Sequence, residues 1–392
     1  MHASRQDKVR IGVIGLGNMG LSHCRQIHIN KKVPGLELGA VCDISEERRE
    51  WARNHLTDVP AYGNAAEMYK SGLIDAVLIT APHYDHPPLA VEAFANGLHV
   101  LVEKPAGVYT KQVLEMNAAA EKSGKVFAMM YNQRTNPVYQ KVRELIHSGE
   151  LGGLKRAVWI VTDWYRSQAY HDSGSWRSTW AGEGGGTLIN QNPHNLDLFQ
   201  WILGMPKKLR SFVSYGKYYD IEVEDDVTAY MEFANGASGV YITSTGELPG
   251  TNRLEISGDM GKIVVENNTI TFYRNRISER EHNRTNTNPF GRVENWKCEV
   301  PLGKGGGEGH VGIMKNFTNA ILHGEKLLAP GEEGICGLLI SNAIHYSSWT
   351  DTLVDLERFD HDHFYELLQE KIASSTVKKS MVHQVVDISG TH

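Results

Sequence analysis

Three groups of polar residues carry side chains that could do chemistry. Lys104 ends the run Val100-Leu101-Val102-Glu103-Lys104-Pro105, a cation where an apolar strand should stop. The residue before a proline is pushed toward extended backbone, which aims Lys104 off the strand end. A lysine with an ordinary pKa of about 10.4 is a poor base at neutral pH, and desolvation would lower it. The second group is Asn190, His194 and Asp197, whose spacing predicts one shared face of a helix. A histidine with polar neighbours and a glycine-rich approach, Gly184-Gly185-Gly186, is a candidate for proton transfer. The third is the loop Asp163-Trp164-Tyr165-Arg166-Ser167-Gln168-Ala169-Tyr170, continued by Trp176-Arg177 and Trp180. Aromatic faces beside polar donors suit a ring with C–H patches and many hydroxyls, although such aromatics also build interfaces and cores. Asp163, Trp164, Tyr165, Arg166 and Trp176 are its candidate substrate contacts. His83, Asp85 and His86 are metal-ligating types, but in one turn they are more often structural, and no metal is expected.

These groups need a scaffold, and the first half of the chain reads as one. Val9 to Ile14 is an apolar run leading into Gly15-Leu16-Gly17-Asn18-Met19-Gly20 and then a helical stretch. A second strand, Leu36 to Cys42, ends in Asp43. The glycine triplet alone is weak, but strand, loop, helix and a following acid together form a dinucleotide fingerprint. Gly15 makes the turn, Gly17 admits the pyrophosphate, and Gly20 lets the helix pack on the strand. Asn18 and Met19 then lie at a helix amino terminus whose N–H groups face the phosphates. Asp43 accepts from ribose hydroxyls and would repel a 2′-phosphate, so NAD is expected over NADP; Arg48 and Arg49 would serve the alternative. Alternation continues through a helix at Ala65 to Lys70, a strand at Ala76 to Thr80, the turn Ala81 to Pro87 with its helix, and the Lys104 strand. That pattern predicts a doubly wound parallel sheet, with Thr80, Pro82, His86 and Lys104 at its carboxyl edge as candidate cofactor contacts.

From Leu154 the pattern changes to successive strands: Leu154 to Thr162, Leu209 to Tyr215, Val227 to Phe233, Gly239 to Ser244, Arg253 to Ser257, Lys262 to Glu266 and Thr269 to Tyr273. Between them, Leu198 to Leu203 reads as a buried helix capped by Gly204, and Asn136-Pro137 as the start of another ending at Gly149. The expected architecture is a Rossmann domain over residues 1–128, then an α+β substrate-binding and oligomerisation domain over 129–392 with a large, mostly antiparallel open sheet. An open sheet face needs cover, so a homo-oligomer (dimer or tetramer) is expected.

The bulk numbers agree. The chain has 392 residues, 41% hydrophobic and 22% charged, which is ordinary for a globular protein of two domains. A net charge of −6 gives no reason to expect nucleic acid or an anionic membrane. No apolar run approaches the roughly 18 residues that span a bilayer. The start lacks an apolar signal core, and the four cysteines (Cys24, Cys42, Cys298, Cys336) show no paired spacing, so a cytoplasmic location is expected. Gly303 to Gly307 reads as a loop that is not a P-loop, and Asp360 to His363 as a solvated helix start.

On Gly15 to Gly20, Asp43, Ala81 to His86, Glu103-Lys104-Pro105, Gly184 to Gly204, Ala329 to Gly334 and Asn342 to Trp349, the chain resembles the Gfo/Idh/MocA oxidoreductases and is similar to their sugar and inositol dehydrogenases. The resemblance implies NAD(P)-linked oxidation of a secondary alcohol on a sugar or cyclitol; C3 of a glucoside-like ring is taken as the favoured position. It makes Lys104 and His194 the acid/base residues, with Glu103 supporting the lysine and Asn132 and Arg134 approaching substrate or cofactor. Many members carry aspartate four residues before the histidine, where this chain has Asn190. An amide can orient a hydroxyl but cannot stabilise an imidazolium, which shifts proton work toward Lys104. Two alternatives stay open: transient oxidation that cleaves or epimerises a glycoside with NAD recycled, and a non-catalytic NAD/sugar sensor.

Overall fold

The computed structural model describes residues 7–303 and 307–375. Six strands, β1 (Val9–Ile14), β2 (Leu36–Cys42), β3 (Ala61–Tyr62), β4 (Ala76–Ile79), β5 (His99–Val102) and β6 (Phe127–Met129), form a parallel sheet in the order β3-β2-β1-β4-β5-β6. The inner strands are apolar on both faces, since helices cover each side: Val9, Ile11, Val13, Val77, Leu78 and Leu101 are all inaccessible to solvent. Strand order reverses between β1 and β4, so their carboxyl ends splay into a crevice. Thr80 closes its floor, donating from Oγ1 to the carbonyls of Ile14 (2.8 Å) and Gly15 (2.6 Å).

The second sheet has nine strands: β7 (Leu154–Val161), β8 (Lys208–Tyr215), β9 (Glu224–Glu232), β10 (Ser238–Ser244), β11 (Asn252–Gly258), β12 (Gly261–Glu266), β13 (Thr269–Asn275), β14 (Asn295–Glu299) and β15 (Val354–Asp355). Their order is β14-β13-β12-β11-β7-β10-β9-β8-β15, antiparallel except where β7 meets β10. Burial alternates with the pleat, so Ala157, Trp159, Val227, Ala229, Met231, Leu254 and Ile256 face inward. Phe199, on the helix Pro193–Leu203, packs edge-on against Tyr241 of β10, with ring centroids 5.9 Å apart. The opposite face leaves Phe212 and Tyr230 exposed.

Local signals placed most of the expected strands to within a residue or two, while the helix expected from Leu198 starts at Pro193 and the long helices Thr110–Ser123, Gly309–His323 and Gly334–Thr350 had not been delimited. The helix Pro137–His147 starts where Asn136 Oδ1 accepts the Val138 N–H at 3.0 Å. Four strands were not delimited from the sequence: β3 and β15 have only two residues and β6 three, while β14 is mostly exposed and does not alternate. One expectation fails. Asn190, His194 and Asp197 do not share a helical face, because residues Thr187–Gln191 form a π-turn and a new helix starts at Pro193. Proline lacks an N–H and disfavours helical backbone before it, and Asn192 departs from the helix at φ −106°, ψ 11°. The Gly303 to Gly307 loop lies partly outside the described residues, and Asp360 caps a helix over His361–Ala373.

Candidate active site

Lys104 follows β5 and reaches across to the second domain, where its Nζ donates to the backbone carbonyl of Asn190 at 3.1 Å. Glu103 sits behind it, buried. Its Oε2 accepts the Lys104 N–H at 3.1 Å, and its Oε1 lies 2.7 Å from Nε2 of the inaccessible His23. Burial alone would raise the Glu103 carboxyl, but the hydrogen bond and charge of His23, aided by His310 and Lys104, hold it at about 2. Burial pushes Lys104 below the usual lysine range, against the pull of Glu103 and Glu183 and with the push of Arg177 and Arg166. A lysine so lowered is a better base near neutral pH than an exposed one.

The π-turn presents Asn190 because its start is anchored. Glu224, buried at the head of β9, accepts the Gly186 N–H at 2.8 Å and the Leu188 N–H at 2.9 Å. Burial raises its carboxyl to about 8, against those donors. The Asn190 side-chain amide donates to Glu183 and, at 3.2 Å, to the Tyr170 hydroxyl. Arg177 Nη1 (2.9 Å) and Gln191 Nε2 (3.2 Å) donate to the same hydroxyl. The Arg177 and Arg166 guanidinium carbons lie over the Tyr170 ring at 4.7 and 5.0 Å, and over Trp176 and Trp164 at 4.5 and 5.3 Å respectively. Polar donors and aromatic faces thus gather at one end of Lys104.

His194 opens the helix Pro193–Leu203, buried, with its ring edge-on to Tyr131 at 6.3 Å. His83 packs against Trp176 at 6.0 Å, its Nδ1 is 3.1 Å from the Glu183 carbonyl, and burial lowers it to about 3. A neutral His83 therefore donates from Nδ1. His86 pins its turn to the lysine segment, with Nδ1 2.8 Å from the Pro105 carbonyl and Nε2 2.7 Å from that of Ala81. Among the described residues no cluster of three or more ligating side chains could hold a metal.

In the crevice, Gly15 has φ +87° and Gly20 lies so close that a Cβ there would fall 1.9 Å from the Gly15 carbonyl oxygen. A Cβ on Gly17 would meet nothing within 4 Å, which leaves open space above the loop. Asn18 and Met19 open the helix Asn18–Cys24. Asp43 accepts the Leu16 (2.6 Å) and Ser45 (2.8 Å) N–H groups, tying the end of β2 to the loop. Arg48 and Arg49 are engaged on the carbonyls of Leu16 and Asp43. A tight loop with one open glycine and an acid beside it fits a dinucleotide.

The structure redirects some of the expected contacts. Arg134, expected to approach substrate or cofactor, is inaccessible to solvent and forked onto Asp197 (2.8 and 2.6 Å), with Glu333 at 2.5 Å. A guanidinium bonded so fully offers the site little. Asp163 bonds Asn252 on β11, while Trp164, Tyr165 and Trp176 stay partly exposed and Asn132 is buried. Sequence reasoning missed His23, Glu183 and Glu224. His23 and Glu103 stand 80 positions apart, so no local spacing could pair them; Glu183, directly before the glycine triplet, was visible but unexplained.

A Rossmann crevice facing a lysine, a histidine and a polar aromatic wall defines a two-domain dinucleotide-dependent enzyme. Residues 9–131 match the model described as an oxidoreductase family with an NAD-binding Rossmann fold, and 139–264 match the GFO/IDH/MocA C-terminal domain. The chain belongs to the Gfo/Idh/MocA family and is an NAD-binding oxidoreductase. It is 24% identical to myo-inositol 2-dehydrogenase of Thermotoga maritima over 89% of this chain and 99% of that protein. It is 30% identical to a glycosyl hydrolase family 109 protein of Shewanella baltica, over 47% of this chain and 42% of that protein. In fold it resembles the WlbA dehydrogenase of Bordetella pertussis, solved with NADH and UDP-GlcNAcA, at a TM-score of 0.75, 24% identity, and 90% and 100% coverage. It also resembles a levoglucosan dehydrogenase solved with NADH and levoglucosan, at a TM-score of 0.73, 20% identity, and 89% and 99% coverage.

Proposed function

We propose that this chain oxidises a secondary ring hydroxyl of a sugar, glycoside or inositol, with C3 of a glucoside-like ring as the favoured position. The observation that carries the reading is Lys104, held at the carboxyl edge of the Rossmann sheet against the turn that bears Asn190. Bound NAD supplies the hydride acceptor. Lys104, lowered by burial, takes the hydroxyl proton, and His194 is the second proton-transfer group. Asn190 orients the substrate. Trp164, Tyr165, Arg166 and Trp176 offer stacking faces and donors for the remaining hydroxyls. Residues 129–392 serve substrate binding and assembly, and the exposed sheet face bearing Phe212 and Tyr230 is the surface on which copies of the chain would associate.

NADH formation with a panel of hexoses, alkyl glucosides and inositols, run with NAD and with NADP, tests this. Turnover with NAD on one class of ring names the substrate. The glycosyl hydrolase relative favours a second reading, in which oxidation is transient and NAD is recycled while a glycoside is cleaved. Product release without NADH accumulation distinguishes it.

A further inference from the structure

Glu183 has no part in the mechanism above, yet it lies in the middle of the cluster and is 2% exposed. One of its carboxylate oxygens accepts from the Asn190 amide, and the other accepts the Ser178 N–H at 2.6 Å. Its backbone carbonyl holds His83, and Arg177 Nη1 stands 4.0 Å from Oε1. An ionised carboxylate only accepts, so the Asn190 amide must turn its NH2 toward Glu183 and Tyr170. Oδ1 of Asn190 is then the atom left to accept from a donor in the site.

We propose that Glu183 is the positioning residue of this active site: it fixes the Asn190 amide and supplies toward Lys104 the carboxylate charge that Asn190 lacks. The inference rests on the dehydrogenase reading and deepens it. Lys104 is faced by Glu103 from its own strand end and by Glu183 from the loop ahead of the π-turn. Arg177 and Arg166 oppose them from the aromatic loop, and His83 faces it from the β4 turn. Glu103 is already engaged with His23, which leaves Glu183 as the carboxylate on the Asn190 side.

The test is the pH profile of kcat in the oxidation direction for wild type, Glu183→Gln and Glu183→Asp, with NAD affinity and thermal midpoint measured alongside. Rate rises with pH as Lys104 loses its proton. Removing a nearby negative charge lowers that pKa, so Glu183→Gln should move the rising limb about 1 pH unit lower. Its kcat at the plateau should fall on the order of tenfold to a hundredfold, because the Asn190 amide is no longer fixed. Glu183→Asp keeps the charge but not the reach, so its limb should stay in place while kcat falls. A folded Glu183→Gln enzyme with an unmoved limb overturns the proposal. So do two variants that lose NAD affinity and kcat in step with no change in limb, the behaviour of a merely structural residue. If Glu183→Gln does not fold, Glu183→Asp decides: a displaced limb or wild-type kcat overturns the proposal. Absence of wild-type turnover is instead the failure of the dehydrogenase reading and removes this inference with it, so the wild-type control separates the two failures.

Discussion

Replacing Arg134 with methionine separates a structural role from a binding role. Arg134 is fully buried and donates twice to Asp197, which is itself 1% exposed, and once each to Glu333 and the Leu328 carbonyl. Arg134→Met leaves the Asp197 carboxylate buried with only Gln200 as a side-chain donor. Breaking a buried pair by removing one partner costs about 3–5 kcal/mol, because the remaining charge is uncompensated. That is a large part of the roughly 5–15 kcal/mol that holds a domain folded. Glu333 is partly exposed and can rehydrate, so the loss is dominated by Asp197. The double change Arg134→Met, Asp197→Leu should recover most of the loss, since an apolar pair removes both charges together. Urea unfolding gives the stabilities and steady-state kinetics gives KM. The expected result is a large drop for the single variant, partial recovery for the double variant and an unchanged KM for soluble enzyme. A single variant as stable as wild type, with a raised KM, would refute the reasoning and return Arg134 to the substrate.

The remaining expectations concern charge. Glu103 is held at about 2 against an ordinary 4.5, so its stabilising contribution is present above about pH 4.5 and lost as pH falls toward 2; Glu103→Gln should flatten that part of a urea-midpoint profile. Glu224 is the opposite case, raised from 4.5 to about 8, so its contribution is present at low pH and lost as pH rises through that window. Glu224→Gln should remove that slope and, by setting an NH2 group against the Gly186 or Leu188 N–H, lower stability by about 1–3 kcal/mol in calorimetry. Asp43→Ser should weaken NAD binding and narrow the preference over NADP in titration calorimetry; an unchanged ratio would show that Asp43 serves only the loop contacts to Leu16 and Ser45.

Much of this architecture was legible because the Rossmann half is built from local signals. Buried apolar runs, a glycine loop and an acid at a strand end are all read within a few dozen residues. Lys104 was legible for the same reason, as a charge at the end of such a run. The second domain was legible where strands alternate, and not at β14, whose residues face solvent, or at the two-residue β15. The misplacement of Asn190 came from treating residues 190 to 197 as one helix, when Pro193 restarts it. The pairs His23 with Glu103 and Arg134 with Asp197 join residues 80 and 63 positions apart, so Glu103, Arg134 and Asp197 stood out singly while their pairing did not, and His23 did not stand out at all. Arg134 was carried to the substrate by resemblance, and its burial could be seen only once Asp197 and Glu333, distant in sequence, were packed against it.

The most direct test of the account is NADH formation by wild type and Lys104→Ala on the best substrate of the panel, with NAD affinity measured on both. The expected result is wild-type turnover, a loss on the order of 10²–10⁴-fold in kcat for the variant, and NAD binding retained. A variant that oxidises the same ring at close to the wild-type rate would contradict it, and the proton would have to leave by another residue.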